Sequence, residues 1–143
     1  MNKKIKVDQV RRAVKSTVEA GIGAGAFFIM GYPGETDTTM LDTIKLASSL
    51  PFDYVSLTLP YPIPGTRLYD RVKGRMIMDD LKKETHGLVK HELIYGSDFS
   101  ANKLKFGILK AMTQHKLRKM LGKNYRLIEP LERVTDKIFS AMG

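Results

Sequence analysis

Valines recur at positions 7, 10, 14 and 18, spacings of three and four that lay an apolar stripe along a helix. The pattern predicts an amphipathic helix from about Val7 to Ala20, with Gly21 where a helix stop belongs. After "GIGAG" comes a short apolar run, Ala24 to Met30, too short for an ordinary helix and bounded by glycines. It reads as a fully buried strand. Thr36 then reads as an N-cap, with Asp37 in the first turn, where the helix dipole favours negative charge. Met40, Leu41, Ile44 and Ala47 give this second helix its apolar face, and Pro51 disfavours helical backbone at Leu50. From Asp53 to Leu59 the polarity alternates, with Val55, Leu57 and Leu59 on one side and Ser56 and Thr58 on the other. That is a strand with one apolar and one polar face. It runs into the turn-rich "PYPIPGTRLYD", and a short helix is expected from Arg67 to about Lys73.

Helices alternating with strands argue for a parallel sheet with right-handed crossovers. Two strands alone do not make a stable parallel sheet. The expectation is therefore that residues 1–75 are the closing part of a larger α/β unit, and the chain a fragment or split subunit. A two-stranded domain sealed by dimerisation is the alternative. Past Gly74 the period changes. Leu81, Leu88, Leu93 and Ile94 lie in a mixed segment without a clear assignment. Ser100 opens a helix with Leu104, Ile108, Ala111 and Met112 on one face, ending at Gly122. A last helix carries Leu127, Leu131, Val134, Ile138 and Met142, with Pro130 tolerated near its start. Residues 76–143 thus read as a mostly helical C-terminal region.

Composition narrows the function classes. The 143 residues are 43% hydrophobic, enough to bury a core. There is no cysteine. A disulfide framework, a thiolate zinc site, a cysteine nucleophile and an iron–sulfur cluster on this chain's own thiolates are excluded. No apolar run reaches the length of a membrane span, and the N-terminus lacks the apolar stretch of a secretory signal. A cytoplasmic location is expected. The net charge is +9, from 24 basic and 15 acidic residues. From Phe99 to Ile128 there is no Asp or Glu, while Lys103, Lys105, Lys110, Lys116, Arg118, Lys119, Lys123 and Arg126 are basic. Such a stretch is either a solvated helix face or a field for phosphate, an anionic cofactor or an acidic partner.

Most motif matches dissolve on inspection. "GIGAGA" satisfies the dinucleotide-binding spacing, but that motif needs a strand before it and a helix after it, and the order here is reversed. His86, His91 and His115 have no metal-ligand spacing, and Asp79-Asp80 reads as a helix N-terminal turn. "GYPGET" and "PYPIPGTRLY" remain. Both follow predicted strands, and in a parallel barrel such loops gather at one mouth. Gly31 and Gly34 allow close backbone approach, Pro33 stiffens the turn, and Glu35 can hold backbone N–H groups or a ligand hydroxyl or amine. Ser56 and Thr58 would point into the barrel, where polar groups need water or a ligand. These features favour a ligand-lined mouth modestly over ordinary βα turns.

"FFIMGYPGETDTTMLDTIKLASSL" followed by "DYVSLTLPYPIPGTRLYDRVK" resembles the last two βα units of a radical SAM enzyme barrel. The cobalamin-binding group is most similar, including the anaerobic magnesium-protoporphyrin IX monomethyl ester cyclase type; methylthiotransferases and elongator-type members share the G-x-P-G-E-T turn. The resemblance spans about residues 7 to 75. It implies the closing strands of a (β/α) TIM-type barrel, of which this chain carries two parallel strands. In the family a 4Fe-4S cluster on a cysteine loop after the first strand binds and cleaves S-adenosylmethionine. That loop is missing here, as are the earlier strands and any cobalamin domain. The resemblance therefore implies only the far wall of the S-adenosylmethionine site, inactive alone. Gly31, Tyr32, Pro33, Gly34 and Glu35 would lie by the adenosyl part, and Leu59, Pro60 and Tyr61 by the adenine. The family consensus has Glu three residues after its second Gly, whereas Glu35 is four after Gly31, so Glu35 is expected to serve the turn rather than the ligand.

Two classes of partner follow. The first is the missing N-terminal barrel portion, or a second copy paired through exposed strand edges. A helical tail folded back over the open face, through Leu104, Ile108, Met112 and Leu127, is the alternative to association. The second class, ranked below it, is a non-enzymatic module whose basic helix, residues 101–121, recruits RNA or an acidic protein. Aromatics for stacking are scarce from Asn102 to Arg126, Phe106 and Tyr125 alone.

Overall fold

The computed structural model describes residues 5–77 and 94–142. The elements run α1 (Val7–Glu19), β1 (Gly25–Ile29), α2 (Asp37–Ser49), β2 (Tyr54–Thr58), α3 (Arg67–Val72), α4 (Ala101–Leu121) and α5 (Glu129–Ala141). Short 3-10 helices follow α3 and α4. The fold is α/β: two parallel strands in one sheet, then a helical C-terminal region. Leu81, Leu88, Leu93, Asp79, Asp80, His86 and His91 lie outside the described residues.

The helix boundaries have local causes. Thr36 caps α2, its hydroxyl accepting from the Thr39 amide at 3.3 Å. Leu50 closes that helix in an extended conformation, as the following proline requires. Ser100 caps α4 by accepting from the Lys103 amide at 3.2 Å. Gly21, at φ +74°, ends α1 in the left-handed region.

β1 and β2 pair in register from Gly25 with Tyr54 to Ile29 with Thr58. Partners in a parallel pair share a face, so the sheet has two unlike sides. Ala26, Phe28, Val55 and Leu57 face α2 and α4 and join one cluster with Met40, Ile44, Leu104 and Phe139. On the other side Phe27 is 77% exposed, and Ile29 and Tyr54 are also open. β1 is therefore not the fully buried strand its apolar run predicts. A run of bulky residues with no alternation carries no information about which face is covered, and here only one is.

The tail folds back onto the helix-covered side of the sheet. α4 packs along α2 and β2, burying Leu104 and Ala111 and leaving Met112 and Leu127 exposed. The Phe27 side stays open, so the tail does not close it. Contact between α4 and the end of β1 is close: a Cβ at Gly107 would lie 2.8 Å from Met30 Sδ and 2.9 Å from the Phe139 ring.

The basic helix turns part of its charge inward. Lys103 is buried, its Nζ 2.8 Å from Asp37 and 2.7 Å from the Met142 carbonyl oxygen. Lys110 is buried against Asp136 at 3.0 Å and donates to the Thr135 hydroxyl. Arg118 pairs with Glu132 at 3.1 Å and stacks on Tyr125, whose hydroxyl also donates to Glu132. Burial, reinforced by Glu132, pushes the Tyr125 phenol up to about 12. These pairs turn α5 so that Glu132, Thr135 and Asp136 face α4.

The two ends of the Lys110–Asp136 pair should respond unequally. Asp136→Ala leaves an ammonium buried without its counter-ion and is expected to cost about 3 kcal/mol or more. Lys110→Met leaves a carboxylate that already reaches water, and should cost less. Urea unfolding of both variants, read against the parent, checks the order; equal costs contradict it.

Candidate functional site

The two strand ends present their turns side by side. Met30, the last apolar residue of the run, is buried, and its amide donates to the Thr58 carbonyl oxygen at 3.0 Å. The chain then enters Gly31 at φ +84° and Gly34 at φ +92°, conformations that L side chains rarely adopt. One oxygen of Glu35, Oε2, accepts from the Gly31 amide at 2.7 Å and from the Tyr32 amide at 3.2 Å. The Glu35 amide donates back to the Tyr32 carbonyl oxygen at 3.0 Å. Glu35 is thus the residue that holds the turn, as its offset in the motif predicts. Burial raises its pKa above the ordinary 4.5, and the two amides only partly offset the rise.

The turn is also gripped from beneath. Tyr95 is buried, and its hydroxyl donates to the Gly31 carbonyl oxygen at 3.3 Å. Burial pushes that phenol up to about 12, so it stays a donor at any physiological pH. Leu104 of α4 fills the space where a Gly31 Cβ would be, 2.8 Å from its Cδ2. Met76 bridges to Tyr95, and Arg75 pairs with Asp98 at 2.7 Å, holding that carboxyl below its usual range. Neither Tyr95 nor Leu104 is marked by any motif. A lone tyrosine among turn residues gives no pattern, and Leu104 reads only as one position of a helix face.

The second turn supplies Leu59, Pro60 and Tyr61. Pro60 is buried, Leu59 half-buried, and Tyr61 exposed. The Thr58 hydroxyl donates to the Leu59 carbonyl oxygen at 2.9 Å, tying strand end to turn. Ser56 and Thr58 share the open sheet face with Phe27 and Ile29. Tyr32 and Pro33 are half-buried and Gly34 exposed. The ten residues singled out in the sequence therefore gather at one sheet end and on one sheet face. With Glu35 Oε2 engaged by the turn, the polar atoms there are its other oxygen, the hydroxyls of Ser56, Thr58, Tyr32 and Tyr61, and the backbone of the two turns.

A different cavity, of about 450 Å³, lies at the opposite end of the strands, between Val18, Phe52, Asp53, His115 and Lys119. Asp53 there accepts from the Ala24 amide at 3.1 Å and pairs with Lys119 at 3.5 Å. Burial, helped by the charge of Lys119, pulls His115 below its ordinary value. In a parallel barrel this end serves stability, so it is not the preferred site. Among the described residues no group of three potential metal ligands comes together. No described helix is long and apolar enough to cross a membrane.

No family model matches the chain. It is 43% identical over 58 residues to an uncharacterized methyltransferase of Pyrococcus horikoshii, a match covering 41% of the chain and 13% of that protein. It is 39% identical over 54 residues to a tRNA-2-methylthio-N(6)-dimethylallyladenosine synthase of Nitrosomonas eutropha, covering 38% of the chain and 12% of that protein. Against the enzyme of that name from Pseudomonas savastanoi the identity is 35% over 77 residues, covering 51% of the chain and 16% of the relative. The chain thus spans less than a fifth of the length of these curated relatives. These partial matches support a relation to radical SAM proteins. They carry no support for the cobalamin-binding or cyclase subtype.

Two sets of variants test the turn. The folded state binds the Glu35 proton more tightly than the unfolded chain, so the contribution of Glu35 to stability falls as pH rises from 4.5 through its folded pKa, then levels. Glu35→Gln keeps a single oxygen for both amides and should abolish that fall. Glu35→Leu strands the amides and should cost about 1–3 kcal/mol. Denaturant midpoints between pH 4 and 8 (about the range of interest) read both effects. Gly34→Ala should cost about 1–2 kcal/mol for backbone strain alone. Gly31→Ala should cost about 1–3 kcal/mol more, through its collision with Leu104. Equal losses at the two glycines would remove Leu104 as a constraint on the turn.

Proposed function

We propose that this chain is the closing part of a radical SAM enzyme barrel, a fragment or split subunit that contributes one wall of the S-adenosylmethionine and substrate site. The observation that carries the reading is the open sheet face. Phe27, Ile29 and Tyr54 stand exposed beside Ser56 and Thr58, directly below the two strand-end turns. A large apolar surface next to unpaired strand edges is what a sheet presents when further strands belong against it.

In this reading Gly31 to Glu35 bound the adenosyl part of S-adenosylmethionine, and Leu59, Pro60 and Tyr61 offer backbone groups to the adenine. Glu35 acts indirectly, by fixing the direction of the Gly31 and Tyr32 amides. Ser56 and Thr58 place hydroxyls on the barrel wall. With no cysteine, the chain holds no 4Fe-4S cluster of its own, so the residues here do not fit that group. The cluster belongs to the earlier part of the barrel. The subtype stays at the level of motif resemblance, cobalamin-dependent or cyclase-like. The names of the partial relatives, a methyltransferase and methylthio-adenosine synthases, favour a group-transfer reaction for the whole enzyme.

The alternative, a basic helix that recruits RNA or an acidic protein, has fewer charges to offer than its sequence presents. Lys103 and Lys110 are buried, and Arg118 and Lys119 are paired with Glu132 and Asp53.

The isolated chain is expected to release no methionine from S-adenosylmethionine and to self-associate through its open face. Light scattering over a range of concentrations should show association, and Phe27→Lys with Ile29→Lys should abolish it without loss of helix content. A polypeptide carrying the cysteine loop and preceding strands should bind the parent chain and fail to bind that double variant. Cleavage of S-adenosylmethionine by this chain alone, or a parent monomer that binds no such polypeptide, overturns the reading.

A further inference from the structure

The last helix is amphipathic in the wrong direction for a simple core element. Leu127, Leu131, Val134 and Ile138 form its apolar stripe, and all four are exposed, Leu127 by 80%. The face turned to α4 carries Glu132, Thr135 and Asp136, engaged with Lys110 and Arg118, and the buried Phe139 as its one core anchor. The stripe is continuous with a groove of about 210 Å³ between α4 and α5. Phe106, Leu109 and Leu117 form one wall of the groove, Ile128 and Leu131 the other. The surface is concave and apolar, of the kind that receives the side chains of another helix.

Charge limits what can sit there. At 100° per residue, Lys105 and Lys116 flank the groove on the outer side of α4, and Lys137 flanks the stripe on the outer side of α5, while Arg133 points away from Leu131. These three lysines are exposed. The acids of α5 that could balance them, Glu132 and Asp136, are turned inward, which leaves only Glu129 at one end. A second copy of the same surface would set basic rim against basic rim, which disfavours self-pairing here. A flat anionic membrane would meet the rims but not fill the groove.

We propose that the α4–α5 groove is a docking site for an amphipathic helix of a partner protein, one whose apolar stripe is flanked by Asp or Glu. Leu and Ile side chains of that helix would enter between Leu109 and Leu131, and its acids would meet Lys105, Lys116 and Lys137. The site lies on the helical hairpin, away from the open sheet face, and does not depend on the radical SAM reading.

The test uses the full chain and a fluorescein-labelled designed helix of about five turns, with leucines at helical spacing flanked by glutamates. Its twin carries lysines in place of the glutamates. Anisotropy should show saturable binding of the glutamate peptide and binding at least about tenfold weaker for the twin, equivalent to about 1.4 kcal/mol. Leu131→Lys should weaken binding of the glutamate peptide by about tenfold or more, with unchanged circular dichroism. Lys137→Glu with Lys105→Glu, at exposed positions that do not support the core, should shift preference toward the lysine twin. Equal affinity for the twins, no saturable binding, or indifference to both sets of substitutions overturns the proposal. Sedimentation with phosphatidylserine vesicles in the absence of peptide binding overturns it in favour of a membrane surface.

Discussion

The structure depends on how closely α4 lies against the end of β1. At Gly31 and Gly107 a single added carbon would meet Leu104, Met30 or Phe139 within 3 Å. Close-packed interiors do not yield to such intrusions without moving the elements that line them. The C-terminal helices therefore form part of the seat of the turn. Leu104 sits under Gly31, Tyr95 donates to the Gly31 carbonyl oxygen, and Lys103 joins the start of α2 to the Met142 carbonyl oxygen. Side chains some 60 or more residues downstream in the chain thus set the direction of the "GYPGET" backbone.

That seating carries an electrostatic condition. Lys103 and Lys110 go into the interior with the face of α4 that carries Leu104, Gly107 and Ala111. Desolvating an unpaired ammonium costs several kcal/mol, about as much as burying two or three leucines contributes. Acids must therefore meet the ammonium groups, and α5 supplies Asp136 while α2 supplies Asp37. Once Glu132 and Asp136 face inward, helical geometry sends Leu131, Val134 and Ile138 outward. The exposed stripe and the buried lysines are one arrangement seen from two sides.

How much of this the sequence shows depends on how local the cause is. Thr36, Ser100, Gly21 and Gly122 act within a few residues of themselves, and the helix ends fall where they predict. Alternation in Val55, Ser56, Leu57 and Thr58 reports a two-sided strand correctly. "AFFIM" has no alternation, so it misreports β1 as buried on both faces. Glu35 is legible as a turn residue from its offset alone, because its partners are its neighbours. Tyr95 is not legible, since its partner Gly31 lies far away in sequence. The orientation of α5 is hidden for the same reason. Its hydrophobic period predicts which residues share a face but not which face meets α4, and the ion pairs together with the buried Phe139 fix that.

These features constrain how the mouth of the sheet can recognise anything. Glu35 Oε2 is consumed by two amides and the Thr58 hydroxyl by the Leu59 carbonyl oxygen, so the turns are preorganised without a ligand. Preorganisation removes ordering cost from binding and commits one oxygen of the turn's carboxylate, Oε2, to the backbone. A ligand at this end would then meet backbone groups, the hydroxyls of Ser56, Tyr32 and Tyr61, the second Glu35 oxygen and the apolar face of Phe27 and Ile29. Backbone groups and apolar surface recognise shape rather than charge, and the exposed Phe27 and Ile29 dominate the area of this face.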